Sequence, residues 1–151
     1  MVTFIGNCSA KLDDKGRVVF PSPLKSLMPS SGDMRFVLKK NLFKDCLDMF
    51  TFEEWERQSS EMYGKLNIMF NKDHDSLWSE FWRESAVVKP DEKLGRITIP
   101  RKLLESIGIT KEVVFAGCGY KIEIWAEDKY ESERVSHDKL LEIAAKLSEN
   151  R

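Results

Sequence analysis

The chain has 151 residues, of which 42% are hydrophobic and 11% aromatic, and its formal net charge is −1. These values exclude an intrinsically disordered chain and are typical of one globular unit with a substantial core. No apolar run approaches the length of a membrane span, and no basic region followed by an apolar one opens the sequence. We therefore expect neither a membrane anchor nor a signal peptide.

The three cysteines, Cys8, Cys46 and Cys118, are scattered along the chain and odd in number. This pattern favours buried thiols in a reducing cytoplasm over a disulfide framework or a metal site. We therefore predict a cytoplasmic protein that uses no metal and no other cofactor.

The first predicted elements surround a short motif that joins a turn to a strand. Phe4 and Ile5 open a strand that leads to Leu12–Pro21, where an acidic residue, a glycine, an arginine and a proline follow at fixed spacing. Glycine tolerates the positive φ of a tight turn, and the β-branched and aromatic residues after the arginine favour a half-buried strand. We expect Arg17 to stand where the turn enters the strand, and Pro21 to take the first position of a short helix.

A short helix and a hairpin are predicted after this motif. Apolar residues at positions 24, 27 and 28 indicate the helix, and a proline at position 29 ends it. Strands over residues 35–38 and 46–50 flank a turn at residues 41–45. The first part of the chain is thus predicted as a hairpin, a short helix and a second hairpin.

Two helices are predicted to connect this part of the chain to the rest. The first begins at Thr51, and the spacing of Thr51 and Glu54 is that of a capping box, in which Glu54 binds back to the cap amide. A largely aromatic stripe along the two helices is interpreted as packing, with a ligand-stacking platform as the alternative. Residues 71–75 are predicted as a polar loop, so that the second helix begins near Asp75 or Ser76.

The motif then occurs a second time. Residues 85–89 lead to Asp91–Pro100, which again contains an acidic residue, a glycine, an arginine and a proline in that order. The helix predicted after Pro100 ends at Gly108, because glycine is the preferred residue just past a helix C-terminus. The second copy therefore has the same order of elements as the first.

A hairpin and two helices are predicted to complete the chain. Strands over residues 113–116 and 121–125 enclose a Gly-x-Gly turn at 117–119. This turn is not a phosphate loop, because a strand follows it where a helix would be needed. Helices are predicted over residues 127–134 and around residues 140–147, and the last could dock on its own chain or on a neighbouring subunit.

The two motif copies belong to a longer internal repeat. Gly16 and Gly95 are 79 positions apart, and apolar residues of the flanks match at the same offset. These matches are Leu24 with Leu103, Met28 with Ile107 and Phe36 with Phe115. After a change in length, residues 47–50 match residues 122–125. We therefore predict two related halves of about 45 residues each, closed into a pseudo-dimer.

The duplicated motif resembles the MraZ proteins of bacteria, which carry two SpoVT-AbrB-type domains. The segments that carry the resemblance are Leu12–Pro21, Gly95–Pro100, and Thr110–Gly117 with the strand at 122–125. The resemblance implies a mainly β (α+β) fold, a pseudo-symmetric double-split β-barrel of two interlocked AbrB-like halves with peripheral helices. The implied division is domain 1 at 7–54, a helical connector at 55–82, domain 2 at 83–126 and a helical tail at 127–151. In the second motif copy, Asp91-Glu92 stands where the family usually has an apolar residue followed by Asp.

The resemblance also implies a function. MraZ-like proteins are sequence-specific DNA-binding transcriptional regulators of their own division and cell-wall gene cluster. The implied partners are double-stranded operator DNA with guanine-rich direct repeats and further copies of the chain in a ring-shaped homo-oligomer. Neither a membrane nor a small-molecule substrate is implied, and the expected location is the cytoplasm, associated with the nucleoid.

The charge distribution agrees with a DNA-binding surface near the two motifs. Residues 1–44 and 85–111 carry net charges of +5 and +3, whereas residues 45–84 and 112–151 carry −6 and −3. Charge is expected to segregate in this way when one face meets phosphate. A random fluctuation on a solvated surface would give the same pattern.

The candidate contacts follow from the chemistry of DNA. Arginine can donate two hydrogen bonds to guanine in the major groove, which makes Arg17 and Arg96 candidates for base contacts. Basic residues near the motifs are candidates for phosphate contacts, which position the protein: Lys11, Lys15, Lys25, Lys93, Arg101 and Lys102. The motif turns are predicted to be built by Asp13, Gly16, Glu92 and Gly95, with the two acidic residues orienting the arginine or capping the turn.

Three alternatives stay open. Arg17 and Arg96 could instead form intramolecular salt bridges that close the fold. The chain could be an enzyme, although His74 and His137 have no spaced metal-ligand partner and no nucleophile motif. It could also be an antitoxin-like protein-interaction module, for which the connector and the helical tail offer surface.

Overall fold

Eight strands and six helices form in residues 2–109 and 111–149, which are the residues that the computed structural model of the protein describes. The strands are β1 (Asn7–Lys11), β2 (Arg17–Val19), β3 (Phe36–Lys40), β4 (Leu47–Thr51), β5 (Ala86–Val88), β6 (Arg96–Thr98), β7 (Glu112–Gly117) and β8 (Ile122–Ala126). The helices are α1 (Ser22–Lys25), α2 (Phe52–Lys65), α3 (Lys72–Trp82), α4 (Arg101–Ser106), α5 (Glu127–Ser132) and α6 (His137–Glu149). Thr110 of the motif-flanking run, and Asn150 and Arg151 of the predicted tail, lie outside the described residues. The fold is mixed α and β; in the described residues the helices contain more residues than the strands, so the prediction of a mainly β (α+β) fold is confirmed only as α+β.

The strands of the two motif regions pair with each other. Six strands form an antiparallel sheet in the order β1–β7–β8–β4–β3–β5, and β2 pairs with β6 in a separate antiparallel ribbon. If β5 to β8 are taken as the second copies of β1 to β4, both the sheet and the ribbon have the same order from either end. Within the described residues, the edge strands β1 and β5 do not pair, so the sheet is open.

The predicted hairpin between the first two strands is wrong. β1 pairs with β7, and β2 pairs with β6 of the second motif. The turn between them does close, because the Asp13 amide donates to the Arg17 carbonyl oxygen at 2.9 Å. Beyond the turn the two strands diverge, and β2 pairs with β6. These two strands have the same alternation of buried and exposed residues, so their buried positions face the same core.

One apolar core is shared by the sheet and the ribbon. The ribbon contributes Val18 and Ile97, and the ring of Phe20 lies 5.1 Å from the ring of Phe36 and 6.3 Å from that of Phe115. The pairs of residues matched at the offset of 79 are all buried in this core. The repeat in the sequence is therefore a repeat of core positions, each of which stabilises the fold by about 1.5–3 kcal/mol when its side chain is large and apolar.

Local signals at the helix ends are partly confirmed. The Thr51 hydroxyl accepts the Glu54 amide at 3.2 Å, as predicted, but the Glu54 carboxylate binds Arg57 and Gln58 and does not complete the capping box. The predicted loop at residues 71–75 is wrong, because the Asn71 side chain caps α3 by accepting the His74 amide at 3.1 Å.

Other predicted boundaries differ by a few residues. Pro21 is the N-cap of α1 and not its first helical residue, and the helix ends at Lys25. Gly108 follows α4 with φ +66°, as predicted for a C-terminal glycine. Cys118 and Lys121 close the turn between β7 and β8, since the amide of the first donates to the carbonyl of the second at 2.9 Å.

The aromatic stripe of the connector is packing, as predicted. Trp55 is 3% exposed, and its ring stacks on Phe81 at 4.9 Å and contacts Phe50 at 5.8 Å. The Lys39 ammonium lies over the Phe81 ring at 4.2 Å. These contacts attach α2 and α3 to the outer side of the sheet. No helix in the described part of the chain combines the length and the apolar character needed to cross a bilayer.

Candidate nucleic-acid interface

The β2–β6 ribbon places both motif arginines on one outer face. Val18 and Ile97 lie directly opposite each other and are 1% and 0% exposed, so this position of each strand points into the core. Because side chains alternate along a strand, the residues on either side of this pair point outward. Those residues are Arg17, Val19, Arg96 and Thr98, with Arg17 opposite Thr98 and Val19 opposite Arg96. The arginines therefore occupy diagonal corners of a four-residue face.

In the first motif, Asp13 both builds the turn and holds the arginine. One carboxylate oxygen accepts the amides of Lys15 at 2.9 Å and Arg17 at 2.8 Å, and the other accepts Arg17 Nε at 2.7 Å. The hydrogen bond from the Arg17 amide is the largest of the effects that lower the pKa of Asp13. Neither Nη atom of Arg17 bonds to any residue that the structure describes. The Nε edge of the guanidinium is thus fixed, and its two Nη groups stay available for other hydrogen bonds.

In the second motif this role belongs to Asp91, and the prediction of Glu92 is wrong. One oxygen of Asp91 accepts the amides of Leu94 at 2.8 Å and Gly95 at 3.0 Å, and the other accepts Arg96 Nε at 2.9 Å. The amide of Leu94 contributes most to a pKa of Asp91 of about 2. The second turn is one residue longer than the first, so counting back from Gly95 at the spacing of the first copy reaches Glu92 and misses Asp91.

Each motif turn is also fixed by the other motif region. Gly16 has φ +78°, and its carbonyl accepts the Ile99 amide at 2.9 Å. Gly95 has φ +69°, and its carbonyl accepts the Phe20 amide at 2.9 Å. The two turns therefore lie at opposite ends of the ribbon and are held there by equivalent bonds.

The predicted alternative of salt bridges that close the fold does not describe these arginines. Both ion pairs are local, since each joins an arginine to the acidic residue of its own turn. The side chains of Arg17 and Asp13 are 32% and 37% exposed, and exposed pairs contribute little to stability. The pairs orient the arginines without linking the two halves.

Basic side chains flank the two turns. A cleft of about 650 Å³ between the first turn and α4 has Lys15, Arg101 and Lys111 in its lining. A second cleft, of about 930 Å³ between the other turn and α1, is lined by Lys25, Lys89 and Lys93 among others. Four of the six predicted phosphate contacts are thus brought to the turns. Lys89 and Lys111, which were not predicted, join them, and the signal that could have found them is their position in the basic segment 85–111, which contains the second motif.

Two predicted basic residues lie outside these clefts. Lys11 is exposed at the end of the edge strand β1, opposite Glu112. Lys102 is exposed on α4, next to Arg101 of the first cleft. Both are solvent-accessible, but neither lines the space beside a motif turn.

A second polar cluster lies at the centre of the sheet, where β4 pairs with β8. Donor atoms of Cys46, Asp48 and Glu123 lie within 4.8 Å of one another, a spacing compatible with a metal ion. Lysines neutralise the carboxylates, however: Lys121 Nζ is 2.8 Å from Asp48 and 3.1 Å from Glu123, and Lys44 also pairs with Glu123. Burial raises the pKa of the Cys46 thiol to about 12, which disfavours the thiolate that a metal requires. The cluster is a buried ion-pair network that joins the two halves.

The cysteines are only partly as predicted. Cys46 is buried and Cys8 is half-buried, but Cys118 is exposed in the turn after β7. The prediction of three buried thiols is therefore wrong for Cys118, because a turn residue outside the sheet has no core to enter.

Comparison with known proteins gives consistent results. The family model of the MraZ protein, whose description includes the term antitoxin-like, matches residues 81–146. "Transcriptional regulator MraZ" of Bacteroides thetaiotaomicron is 32% identical over 149 residues, which cover 99% of this chain and 92% of that protein. The proteins of the same name from Christiangramia forsetii and Dictyoglomus thermophilum are 36% and 31% identical, and the alignments cover 87% and 97% of this chain and 83% and 97% of theirs. All three relatives are named for regulation and not for catalysis.

Proposed function

The chain belongs to the MraZ family of transcriptional regulators, and from this membership we propose that it binds double-stranded DNA through the outer face of the β2–β6 ribbon. The observation that carries the proposal is the pair of arginines at diagonal corners, each held through Nε and with no Nη bond to any described residue. The major groove is about 12 Å wide and admits a two-stranded ribbon. Guanine offers O6 and N7 there as acceptors for the two Nη groups of one arginine.

The flanking basic residues are assigned to the phosphate backbone. Lys15, Arg101 and Lys111 stand at one end of the ribbon, and Lys25, Lys89 and Lys93 stand at the other. Because the two groups stand at opposite ends of the ribbon, each can contact one of the two phosphate backbones that border a groove. Lys11 and Lys102 are exposed nearby and would contact phosphates farther from the ribbon. These contacts would position the arginines without reading sequence.

The target and the assembly follow from family membership. We propose that the protein recognises guanine-rich direct repeats before its own division and cell-wall gene cluster and is associated with the nucleoid. We propose a ring-shaped homo-oligomer, supported by the exposed apolar side chains of the tail helix α6. These side chains are Leu140, Leu141, Ile143 and Leu147, each at least 49% exposed. Apolar surface of this kind marks interaction sites.

For the architecture, we propose that the sheet and the ribbon are the two parts of a double-split β-barrel. The shared core and the equivalent strand pairings of the two motif regions support this arrangement. Residues 7–54 and 83–126 would then be the two SpoVT-AbrB-type domains, with residues 55–82 as the connector and 127–151 as the tail.

The test is the binding of fluorescent duplexes by the wild type, Arg17→Ala and Arg96→Ala, followed by anisotropy. Each substitution should lower specific affinity by roughly fivefold to 150-fold, the equivalent of about 1–3 kcal/mol for one bidentate base contact. The control is Arg83→Ala, which removes the same charge from a side chain that is 72% exposed at the end of α3. Unchanged specific binding by both arginine variants would contradict the proposal. A large loss of thermal stability in Arg17→Ala would favour a structural role.

A protein-interaction function is the second candidate, because the family description includes the term antitoxin-like and α6 exposes an apolar face. In that case a partner protein would cover α6. Deletion of residues 136–151 separates the two functions. DNA binding to a single repeat should survive the deletion if the ribbon is the site of recognition, whereas capture of a defined partner from cell extract should be lost.

A further inference from the structure

We propose that Val19 and Thr98 determine specificity by packing on the 5-methyl groups of thymines next to the guanines that the arginines read. This inference rests on the proposed DNA-binding function and deepens it. Neither residue belongs to the turns or is one of the basic side chains described above as candidate contacts, although Val19 also lines the second cleft. Both belong to the outer face of the ribbon, and each stands directly across from an arginine.

The exposure of Val19 is the observation that points to a ligand. Val19 is 49% exposed although its chain neighbours Val18 and Phe20 are 1% and 2% exposed. The ribbon is only three residues long in each strand, so its outer face consists of these two β-branched residues and the two arginines. Two of the four side chains on the face proposed to contact DNA therefore present methyl groups.

The spacing across the ribbon lies between one and two steps of stacked bases. Residues directly opposite in an antiparallel pair have Cβ atoms about 4.5–5.5 Å apart. Consecutive bases along a strand are separated by about 3.4 Å. When Arg96 contacts a guanine, Val19 across from it therefore faces one of the next two base pairs, and Thr98 has the same relation to Arg17.

The chemistry of the two side chains selects thymine. In the major groove, the thymine methyl is the apolar group that distinguishes an A·T pair, and valine and the threonine methyl pack on it without needing a donor. Val19 offers only methyl groups, so it favours thymine strictly. Thr98 also carries a hydroxyl, which can bond to other bases, so its selection should be weaker. The base pair beside the guanine read by Arg96 should thus be the more restricted of the two.

Replacement of thymine by deoxyuridine tests this inference, since it removes only the 5-methyl group. The duplex is the tightest-binding sequence selected from a random pool, with uracil placed in turn at each thymine beside a required guanine. Wild-type protein should lose about fourfold in affinity at the critical thymine, the value for one buried methyl-sized group. Val19→Ala should bind the thymine duplex more weakly and should no longer distinguish thymine from uracil at the position next to the guanine read by Arg96.

The matched control is Val87→Ala, which changes the same residue type at an exposed position of β5, outside the ribbon; Val87 is 59% exposed. This variant should keep the wild-type discrimination between thymine and uracil. Thr98→Ser, which removes a methyl and keeps the hydroxyl, should abolish the smaller uracil effect on the side of Arg17. Specific binding in which the wild type does not distinguish uracil from thymine, or in which Val19→Ala keeps the full discrimination at the thymine that the wild type reads most strongly, would overturn this inference alone. Absence of any sequence-specific DNA binding would overturn it together with the proposed function.

Discussion

At the scale of single residues, a carboxylate holds each motif arginine through the Nε edge of its guanidinium. Asp13 and Asp91 do so while the same carboxylates cap the backbone amides of their turns. A side chain that is oriented before binding loses less entropy on binding. The turn and the arginine are therefore one unit, in which the conformation of the loop sets the direction of the guanidinium.

Exchange of Asp91 for Asn should weaken DNA binding, whereas Glu92→Gln should not. Both changes remove one negative charge, but only Asp91 bonds to Arg96 and to the turn amides. The expected loss for Asp91→Asn is roughly twofold to tenfold, the effect of releasing one long side chain. Titration of one labelled duplex with both variants measures it. Equal affinities would show that Arg96 needs no partner.

The pH dependence of this unit follows from the direction of the pKa shift. The pKa of Asp91 is lowered from 3.8 to about 2, and that of Asp13 is also lowered. A lowered pKa means that the stabilisation from the carboxylate is fully present above about pH 4 and is lost as the pH falls toward 2. Binding measured between pH 5 and 8 should therefore show no step from these two groups, and a step that Asp91→Asn removes would contradict the assignment.

The two motif glycines should differ in their tolerance to alanine. Both have positive φ, which costs a residue with a Cβ atom about 1–2 kcal/mol. A Cβ atom on Gly16 would also lie 3.0 Å from the Ile99 carbonyl oxygen, whereas one on Gly95 would have no neighbour within 4 Å. Gly16→Ala should therefore lower the free energy of unfolding in urea by more than Gly95→Ala. Equal losses of unfolding free energy would mean that the backbone at Ile99 shifts to make room for the added Cβ atom.

At the scale of elements, strand exchange between the two motif regions ties the halves together. Within the described residues, four strands have their only partner in the other half: β1 pairs with β7, β5 with β3, and β2 and β6 with each other. The central pair β4–β8 adds the buried ion-pair network of Asp48 and Glu123. Neither half can complete its own sheet.

A fragment of residues 1–66 should consequently be unfolded or form a homodimer. It contains β1 to β4, of which only β3 and β4 could pair within one copy. A second copy could supply the missing partners, although Asp48 would then face Asp48 of the other copy across the central pair, where Glu123 stands in the full chain. NMR dispersion combined with light scattering distinguishes the states. A folded monomer would contradict the dependence of each half on the other.

Local signals were predictable from the sequence and non-local partners were not. Thr51 and Gly108 mark helix ends through chemistry within a few residues, and both were predicted. Asn71 was missed, although Asn is an equally good cap, because the polar run after it resembled a loop. The first hairpin was wrongly paired, since alternation tells which face of a strand is buried but not which strand lies beside it.

The candidate site shows the same limit. Arg17 and Arg96 were identified from the repeat, but their common face depends on the pairing of β2 with β6, which no local pattern contains. Asp91 was missed for a different reason. An inserted residue in the second turn shifts the acid relative to the glycine, and only the bonded geometry decides which acid holds the arginine.

At the scale of the whole molecule, a net charge of −1 limits the non-specific affinity for DNA. Basic side chains flank both ribbon ends, whereas residues 45–84 and 112–151 are acidic. A single subunit should therefore bind one repeat weakly at physiological salt. Joining several subunits would raise the effective concentration of each remaining contact.

Affinity should thus rise steeply with the number of repeats in the operator. Duplexes with one, two and three repeats spaced by about 10 bp present equivalent groove surfaces on the same side of the helix. The control duplex shifts the spacing by about half a turn, which should remove the gain. Light scattering of the free protein reports its assembly. A monomer that binds one repeat as tightly as three would contradict the proposed oligomer.

The unequal turns at the two ends of the ribbon have a consequence for the evolution of such a protein. A homodimer builds both ends from one gene, so any change in one turn is copied into the other. Here Asp13 lies three positions before its glycine and Asp91 lies four before its own. Because the two turns are separate segments of one chain, each can change without the other. The two ends of the ribbon can therefore become different. A ribbon with two different ends distinguishes the two orientations of a DNA site, so its target sequence does not have to be palindromic.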